Sequence, residues 1–156
     1  VAFPTPSGKI ELASNIAAQD GHSRTPSPEP LARPTGKRLR LLTPADEWHM
    51  NSSYDNDPRI LERTREETLT LHPEDAAARG LTDGAAARVW NEAGELSMRI
   101  ALSDKTPPGV GWAPKGRWPG QSPSGLNVNA LNPGLRSDIG DSTALHGVEI
   151  EVEAAS

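Results

Sequence analysis

Cysteine is absent from this 156-residue chain, and aromatic residues make up only 4% of it. Without cysteine the chain has no disulfide framework, no zinc knuckle, no iron–sulfur ligation and no thiol nucleophile. No apolar stretch approaches the roughly 18 residues that a membrane helix needs. We therefore expect no membrane insertion by this segment.

A strong charge of either sign is also missing. The formal net charge is −5 and the pI is near 5.4, which argues against a nucleic-acid partner because such domains carry a basic patch. Lys37, Arg38 and Arg40 form the main basic cluster, and this pattern is typical of a solvated strand start. The four histidines lack the paired spacing of a metal site, so we expect no metal ligand here.

Turn-forming residues are plentiful, with 14 glycines and 15 prolines. This composition favours a small β-rich domain with many turns over a helical bundle. The chain opens on Val1 without the charged leader or apolar core of a signal peptide. We expect a piece of a longer chain, and the compartment stays open, with the cytoplasm slightly favoured.

The first 36 residues differ in composition from the rest. Residues 3–8 form a predicted turn, and residues 9–12 alternate in polarity, which predicts a lone strand. Residues 21–36 contain four prolines, which restrict the backbone and remove donors, so they predict an extended linker. We therefore divide the chain into a lead-in strand and Pro-rich linker at 1–36 and a folded domain at 37–156.

Alternation of polar and apolar residues predicts the strands of the folded domain. They fall at residues 38–43, 68–71, 87–90, 95–102, 107–112 and 147–152. In the fourth of these, Leu96, Met98, Ile100 and Leu102 are expected to share the buried face.

Two short helices complete the predicted elements. Asp57 followed by proline starts one at 58–66, and His72 followed by proline starts the other, which ends near Gly80. Residues 91–94 form a hairpin loop. Six strands with short crossover helices predict a mainly β fold closed into a small barrel, because closure removes exposed edges.

Five blocks, taken in order, resemble a known family. They are residues 3–12; 41–44 with 49–53; 72–94; 127–131 with 137–140; and the last strand. Together they are similar to the C-terminal molybdopterin-dinucleotide-binding domain of the dimethyl sulfoxide reductase superfamily of molybdenum and tungsten oxidoreductases. One departure lies at Leu145 to Gly147, where the family usually carries an aromatic residue and an acid.

The resemblance implies a six-stranded double-psi β-barrel, the aspartate-decarboxylase-like fold. It also implies a bis(molybdopterin guanine dinucleotide) cofactor with molybdenum or tungsten, shared with the remaining domains of the parent oxidoreductase. Catalytic residues and any protein ligand to the metal come from those domains, so this fragment is expected to be non-catalytic. We also expect the isolated fragment to lose the cofactor, and an electron-transfer partner is possible for the whole enzyme.

Candidate cofactor-binding residues follow the first strand. This stretch supplies hydroxyls, an amide and an imidazole, which suit a pyrophosphate between two heterocycles better than bulk charge does. They are Thr43, His49, Asn51, Ser52 and Ser53. Without the resemblance, such a cluster after a strand is more simply a stabilised turn.

Further candidates lie in the second half of the chain. Asn127 and Asn129 are two apart, so in an extended segment they face the same way, and the resemblance favours Asn129 as a pterin contact. Asp138 is a candidate acceptor for the guanine. Trp118 is a candidate wall of the cofactor cleft, with plain packing as the alternative. Arg117 is either a phosphate contact or a solvated loop charge.

Rival functions on a barrel of this kind can be compared with the sequence. A pyruvoyl-dependent decarboxylase needs a Gly-Ser bond, and no glycine here precedes a serine. An aspartic protease needs Asp-Thr/Ser-Gly, and Asp141-Ser142-Thr143 lacks the glycine. A stand-alone barrel that binds protein, or a separate small subunit of a molybdenum or tungsten enzyme, stays open.

Overall fold

A computed structural model describes residues 2–28, 30–64, 66–137, 140–145 and 147–155. Its helices are α1 (Asn15–Gln19), α2 (Pro58–Arg63) and α3 (Pro73–Ala77), with 3₁₀ helices at Pro119–Gln121 and Val128–Leu131. Its strands are β1 (Leu39–Leu42), β2 (Thr68–Leu71), β3 (Ala86–Trp90), β4 (Glu95–Leu102), β5 (Val110–Trp112) and β6 (Glu149–Ala154).

The six strands close into a barrel in the order β1-β5-β2-β4-β3-β6. β1 pairs with β5, and β2 with β4, in parallel, whereas the other four pairings are antiparallel. Both parallel pairs join strands that are separated along the chain by other strands of the barrel. The prediction of a mainly β, six-stranded double-psi barrel is confirmed.

The barrel interior follows the period of two in the strands. In β4, Leu96, Met98 and Ile100 are buried and the residues between them are exposed, as expected. The expectation for Leu102 is wrong, since it is 36% exposed at the strand's last position. The largest fully buried apolar side chains are Leu39, Leu41, Leu69, Leu71, Val89, Ile100, Leu131 and Ile150.

Both predicted helices start where expected and end early. Asp57 caps α2 by accepting from the Arg59 N–H at 2.9 Å, and the helix ends at Arg63, three residues before the predicted boundary. His72 caps α3 through Nδ1, which accepts from the Glu74 N–H at 3.2 Å. After α3 the chain turns at Gly80, whose φ of +65° is left-handed.

The predicted lone strand at 9–12 is wrong. Local polar contacts replace it: the Glu11 carboxylate accepts from both the N–H and the hydroxyl of Ser7, and the Thr5 hydroxyl donates to the Lys9 carbonyl. The structure adds α1, which alternation did not predict and which Ser14 caps. In the described part of the chain no helix is both long and apolar enough to cross a membrane.

Candidate functional site

Two loops meet at one rim of the barrel. The first loop (residues 43–57) follows β1, and the second loop (residues 113–127) follows β5. Because β1 and β5 are parallel neighbours, both loops leave from the same end. Their backbones stay paired beyond the strands, since the N–H of Lys115 donates to the Pro44 carbonyl at 3.0 Å.

A buried carboxylate joins the two loops. Asp55, in the first loop, is fully buried and accepts from the backbone N–H of Trp118 in the second. Its Oδ1 also lies 3.3 Å from Nη1 of Arg117, which is buried as well. The sequence did not single out Asp55, because its partners in the second loop lie more than 60 residues away and no local pattern marks them.

His49, predicted to be a cofactor-binding residue, has its side chain turned into the protein. Its side chain is 4% exposed, and Nε2 lies 3.1 Å from Asp55 Oδ1. Its Nδ1 lies 3.3 Å from Asp46 Oδ1 but makes no aligned hydrogen bond. The imidazole therefore packs between two carboxylates and shapes the loop; in this arrangement it does not offer a donor at the surface.

The loops approach each other closely at Gly116. A Cβ built on this residue would lie 2.5 Å from the Asn51 carbonyl oxygen and 3.3 Å from His49 Cβ. Its φ of +124° also lies in the region that favours glycine. Only a residue without a side chain allows this contact without movement of the first loop.

Four of the predicted residues line the exposed edge of this junction. Asn51, Ser52 and Ser53 are exposed, and the indole N–H of Trp118 donates to the Ser52 carbonyl. Thr43 is half-buried and directly follows β1. The structure thus places residues 51–53 beside Trp118, although 66 positions separate Ser52 from it.

The expectation that Asn127 and Asn129 share one face of an extended segment is wrong. Residues Val128–Leu131 form a 3₁₀ helix that Asn127 caps, its Oδ1 accepting from the Asn129 N–H at 3.1 Å. Asn127 Nδ2 donates to the Arg117 carbonyl at 2.7 Å, so this amide is occupied within the protein. Asparagine favours such caps because its short side chain reaches the backbone two residues on. Asn129 is exposed.

The hairpin between β3 and β4 supports that 3₁₀ helix. Asn91 Nδ2 donates to the carbonyls of Leu131 at 2.7 Å and Glu149 at 3.1 Å. A Cβ on Gly94 would lie 2.6 Å from the Ala130 carbonyl oxygen, so glycine is required for the contact. The sequence predicted the hairpin but not this supporting role.

A cleft of about 550 Å³ lies beside the first loop. Trp48 and Trp112 line it with the cations Arg63, Lys115 and Arg117, and the Arg63 guanidinium stands 4.3 Å from the centroid of the Trp48 ring. The buried position of Arg117 contradicts the alternative of a solvated loop charge.

Glu67 lies in the same cleft with a perturbed pKa. Burial raises the pKa of its carboxyl above the usual 4.5, and the nearby charge of Asp55 acts in the same direction. The Ser122 hydroxyl, which donates to Oε2 at 2.6 Å, and the Arg117 guanidinium oppose this shift.

The donor set suits a flat, anionic ligand. Amides and hydroxyls at residues 51–53 donate hydrogen bonds to phosphate or heterocycle oxygens without themselves being charged. Trp118, 38% exposed, offers an aromatic edge beside them. The predicted acceptor Asp138 lies outside the described residues.

Comparisons with known proteins identify relatives of this chain. A family profile described as "Molydopterin dinucleotide binding domain" matches residues 39–149. The chain is 31% identical over 151 residues to "Probable oxidoreductase YoaE" of Bacillus subtilis, covering 97% of this chain and 22% of that protein. It is 30% identical over 166 residues to "Biotin sulfoxide reductase" of Cereibacter sphaeroides, covering 96% of this chain and 22% of that protein.

A solved structure shares the fold. Acetylene hydratase from Pelobacter acetylenicus superposes with a TM-score of 0.78 at 24% identity, covering 99% of this chain and 24% of that one. The chain thus spans about a fifth of the length of the curated relatives it matches.

Proposed function

This chain belongs to the family of molybdopterin dinucleotide-binding domains, and from that premise we propose that its two rim loops hold part of a bis(molybdopterin guanine dinucleotide) cofactor carrying molybdenum or tungsten. The observation that carries the proposal is the junction of Asn51, Ser52 and Ser53 with Trp118 at the exposed rim. When bound, the cofactor supplies two-electron chemistry at its metal, and this chain supplies its orientation.

Each residue at the rim has a proposed role. The hydroxyls of Ser52 and Ser53 and the amide of Asn51 donate to phosphate oxygens, and Asn129 donates to the pterin. Trp118 covers a ring face or edge of the ligand. Neutral donors fit a chain whose formal net charge is −5, because binding then depends on directed hydrogen bonds and little on a general positive field.

The other partners follow from the length of the relatives. We propose that the remaining domains of a longer oxidoreductase chain complete the cofactor cleft and carry the catalytic residues. An electron-transfer partner would then re-reduce or re-oxidise that enzyme between turnovers. Residues 1–156 alone would form only one wall of the cleft, so we expect this fragment to release the cofactor at micromolar concentration.

The test uses the full-length gene product, purified without chelators. We expect molybdenum or tungsten by elemental analysis and guanine nucleotide after acid release. Asn129→Ala and the double variant Ser52→Ala/Ser53→Ala should retain much less nucleotide, whereas Asn132→Ala, three residues from Asn129, should retain the wild-type amount. A full-length protein with neither metal nor nucleotide would favour a stand-alone protein-binding barrel or a small subunit.

A further inference from the structure

The Asp55 carboxylate is fully buried, and its contacts join the first loop to the second loop of the proposed cofactor rim. We propose that Asp55 is a positioning residue for cofactor binding. It does not contact the cofactor; it holds the first and second loops together so that the donors at 51–53 stand beside Trp118. This inference rests on the proposed function and says which residue fixes the positions of the two loops before the cofactor binds.

Three contacts surround the carboxylate. His49 Nε2 lies 3.1 Å from Oδ1 and Arg117 Nη1 lies 3.3 Å from it, and the Trp118 N–H donates to Oδ2. One side chain thus fixes the backbone of the second loop at Trp118 and the imidazole of the first loop at His49. Trp118 is also the residue whose indole reaches Ser52, so the path from Asp55 to the exposed donors is two hydrogen bonds long.

The arrangement is a costly way to stabilise a fold. Taking a carboxylate and a guanidinium out of water is costly, and their attraction often only balances that cost. The role that this proposal gives to the buried charge pair is the selection of one loop arrangement over others. Asn51 and Tyr54, in the same loop, have φ of +56° and +76°, conformations that persist only where the surroundings fix them.

The charges facing Asp55 come from every element packed around it. Arg117 lies in the second loop and His49 in the first. Glu67, directly before β2, is close enough for the Asp55 charge to raise its pKa. Asp46 Oδ1 lies 3.3 Å from the other ring nitrogen of His49, Nδ1. Replacing the carboxylate by an amide therefore removes the charge that Arg117 contacts directly and gives the Trp118 N–H a weaker acceptor.

The experiment measures cofactor release from the full-length protein. Asp55→Asn is compared with the matched change Asp57→Asn, two residues away at the half-buried N-cap of α2. A second control, Val89→Ala, destabilises the barrel wall away from the loops. All proteins acquire the cofactor in the cells that produce them. Each is assayed at the same number of degrees below its own unfolding temperature. The guanine nucleotide that it releases is measured over time.

We expect Asp55→Asn to release nucleotide at least about tenfold faster than the wild type, since a small misplacement of donors has effects of that size or larger. Asp57→Asn and Val89→Ala should release it at the wild-type rate once unfolding temperatures are matched. Release from Asp55→Asn at the wild-type rate would overturn the inference and leave the proposed function standing. Release from Val89→Ala as fast as from Asp55→Asn would do the same. A wild type without nucleotide would overturn the proposed function itself.

If Asp55→Asn yields no soluble protein, Arg117→Lys and His49→Gln are used for the same comparison. Wild-type release rates in both variants would overturn the inference.

Discussion

Single residues at the rim decide how closely the two loops approach. Gly116 is the clearest case, because its missing side chain leaves room for the Asn51 carbonyl and its φ of +124° suits glycine. Asp55 performs the complementary task with charge, joining backbone and side chains across the same gap. Shape and electrostatics therefore act on the same pair of loops.

Substituting Gly116 tests whether its contact with the first loop, and not only its backbone conformation, requires glycine. Gly116→Ala should destabilise the protein by more than the about 1–2 kcal/mol that a left-handed residue with a Cβ costs, because the new methyl group also collides with backbone. Gly125→Ala is the matched control: its φ is +70° and no atom lies within 4 Å of the new Cβ. Urea unfolding of both variants checks the difference, and equal losses would mean that the first loop simply moves aside.

The raised pKa of Glu67 predicts that the stability of the fold depends on pH. Its folded-state pKa lies above the usual 4.5 because burial disfavours the charged carboxylate. The folded state then binds the proton more tightly than the unfolded state, so this residue's contribution to stability falls as pH rises from about 4.5 through the raised pKa. Glu67→Gln, which stays neutral, should gain stability relative to the wild type as the pH increases across that window.

The Ser122 hydroxyl provides the control for Glu67. Its hydrogen bond lowers the pKa of the Glu67 carboxyl, so Ser122→Ala should shift the same stability transition to higher pH. Thermal unfolding between pH 4 and pH 7 measures both variants. A difference between wild type and Glu67→Gln that does not change with pH would contradict the assignment.

At the scale of elements, the hairpin between β3 and β4 supports the 3₁₀ helix that carries Asn129. Asn91 makes two hydrogen bonds to reach it, and Gly94 allows close backbone contact. Strand pairing between β3 and β4 runs over five residues, so the hairpin is a rigid base. The position of Asn129 therefore depends on residues more than 30 positions earlier.

Removing the Asn91 amide tests this support. Asn91→Ala should cost about 2 kcal/mol, since two half-buried carbonyls lose their donor. It should also lower nucleotide retention by the full-length protein, because the 3₁₀ helix is released. Asn132→Ala, which loses only an exposed contact to the Gly134 N–H at 2.8 Å, should be close to neutral in both measurements.

Alternation located every barrel strand to within about three residues, because each has one face in the core. The same rule failed at residues 9–12, where no sheet edge is available and Ser7 and Glu11 pair locally. Turn and cap residues likewise predicted the starts of α2 and α3. Local signals were sufficient where the interaction was local.

The candidate site was only partly predictable for the same reason. The loop after β1 was identified from its hydroxyl and amide groups, and Asn51 to Ser53 are exposed there. The roles of Asp55, Asn91 and Gly116 depend on contacts between loops far apart in the chain, which no spacing rule encodes. The extended geometry expected at Asn127 was wrong because this residue caps a 3₁₀ helix, and spacing also did not predict the contact between His49 and Asp55.

At the scale of the whole molecule, the lead-in segment, the part of the chain before residue 37, lies outside the barrel strands. Its apolar side chains are largely exposed: Ile10 at 66%, Leu12 at 84% and Ile16 at 71%. Exposed apolar residues in a contiguous stretch mark an interaction surface. Since the relatives are more than four times as long as this chain, we expect the remaining domains to cover this segment.

Leu12→Ser and Ile16→Ser test that expectation by comparing two contexts. In residues 1–156 alone, each change should alter the free energy of unfolding by no more than about 0.5 kcal/mol, because the side chain is already in water. In the full-length protein the same changes should lower the unfolding temperature, because they remove apolar contacts to the remaining domains. Leu69→Ser, inside the barrel, should be strongly destabilising in both contexts. Equal effects of the lead-in changes in the two contexts would mean that the segment has no partner beyond this chain.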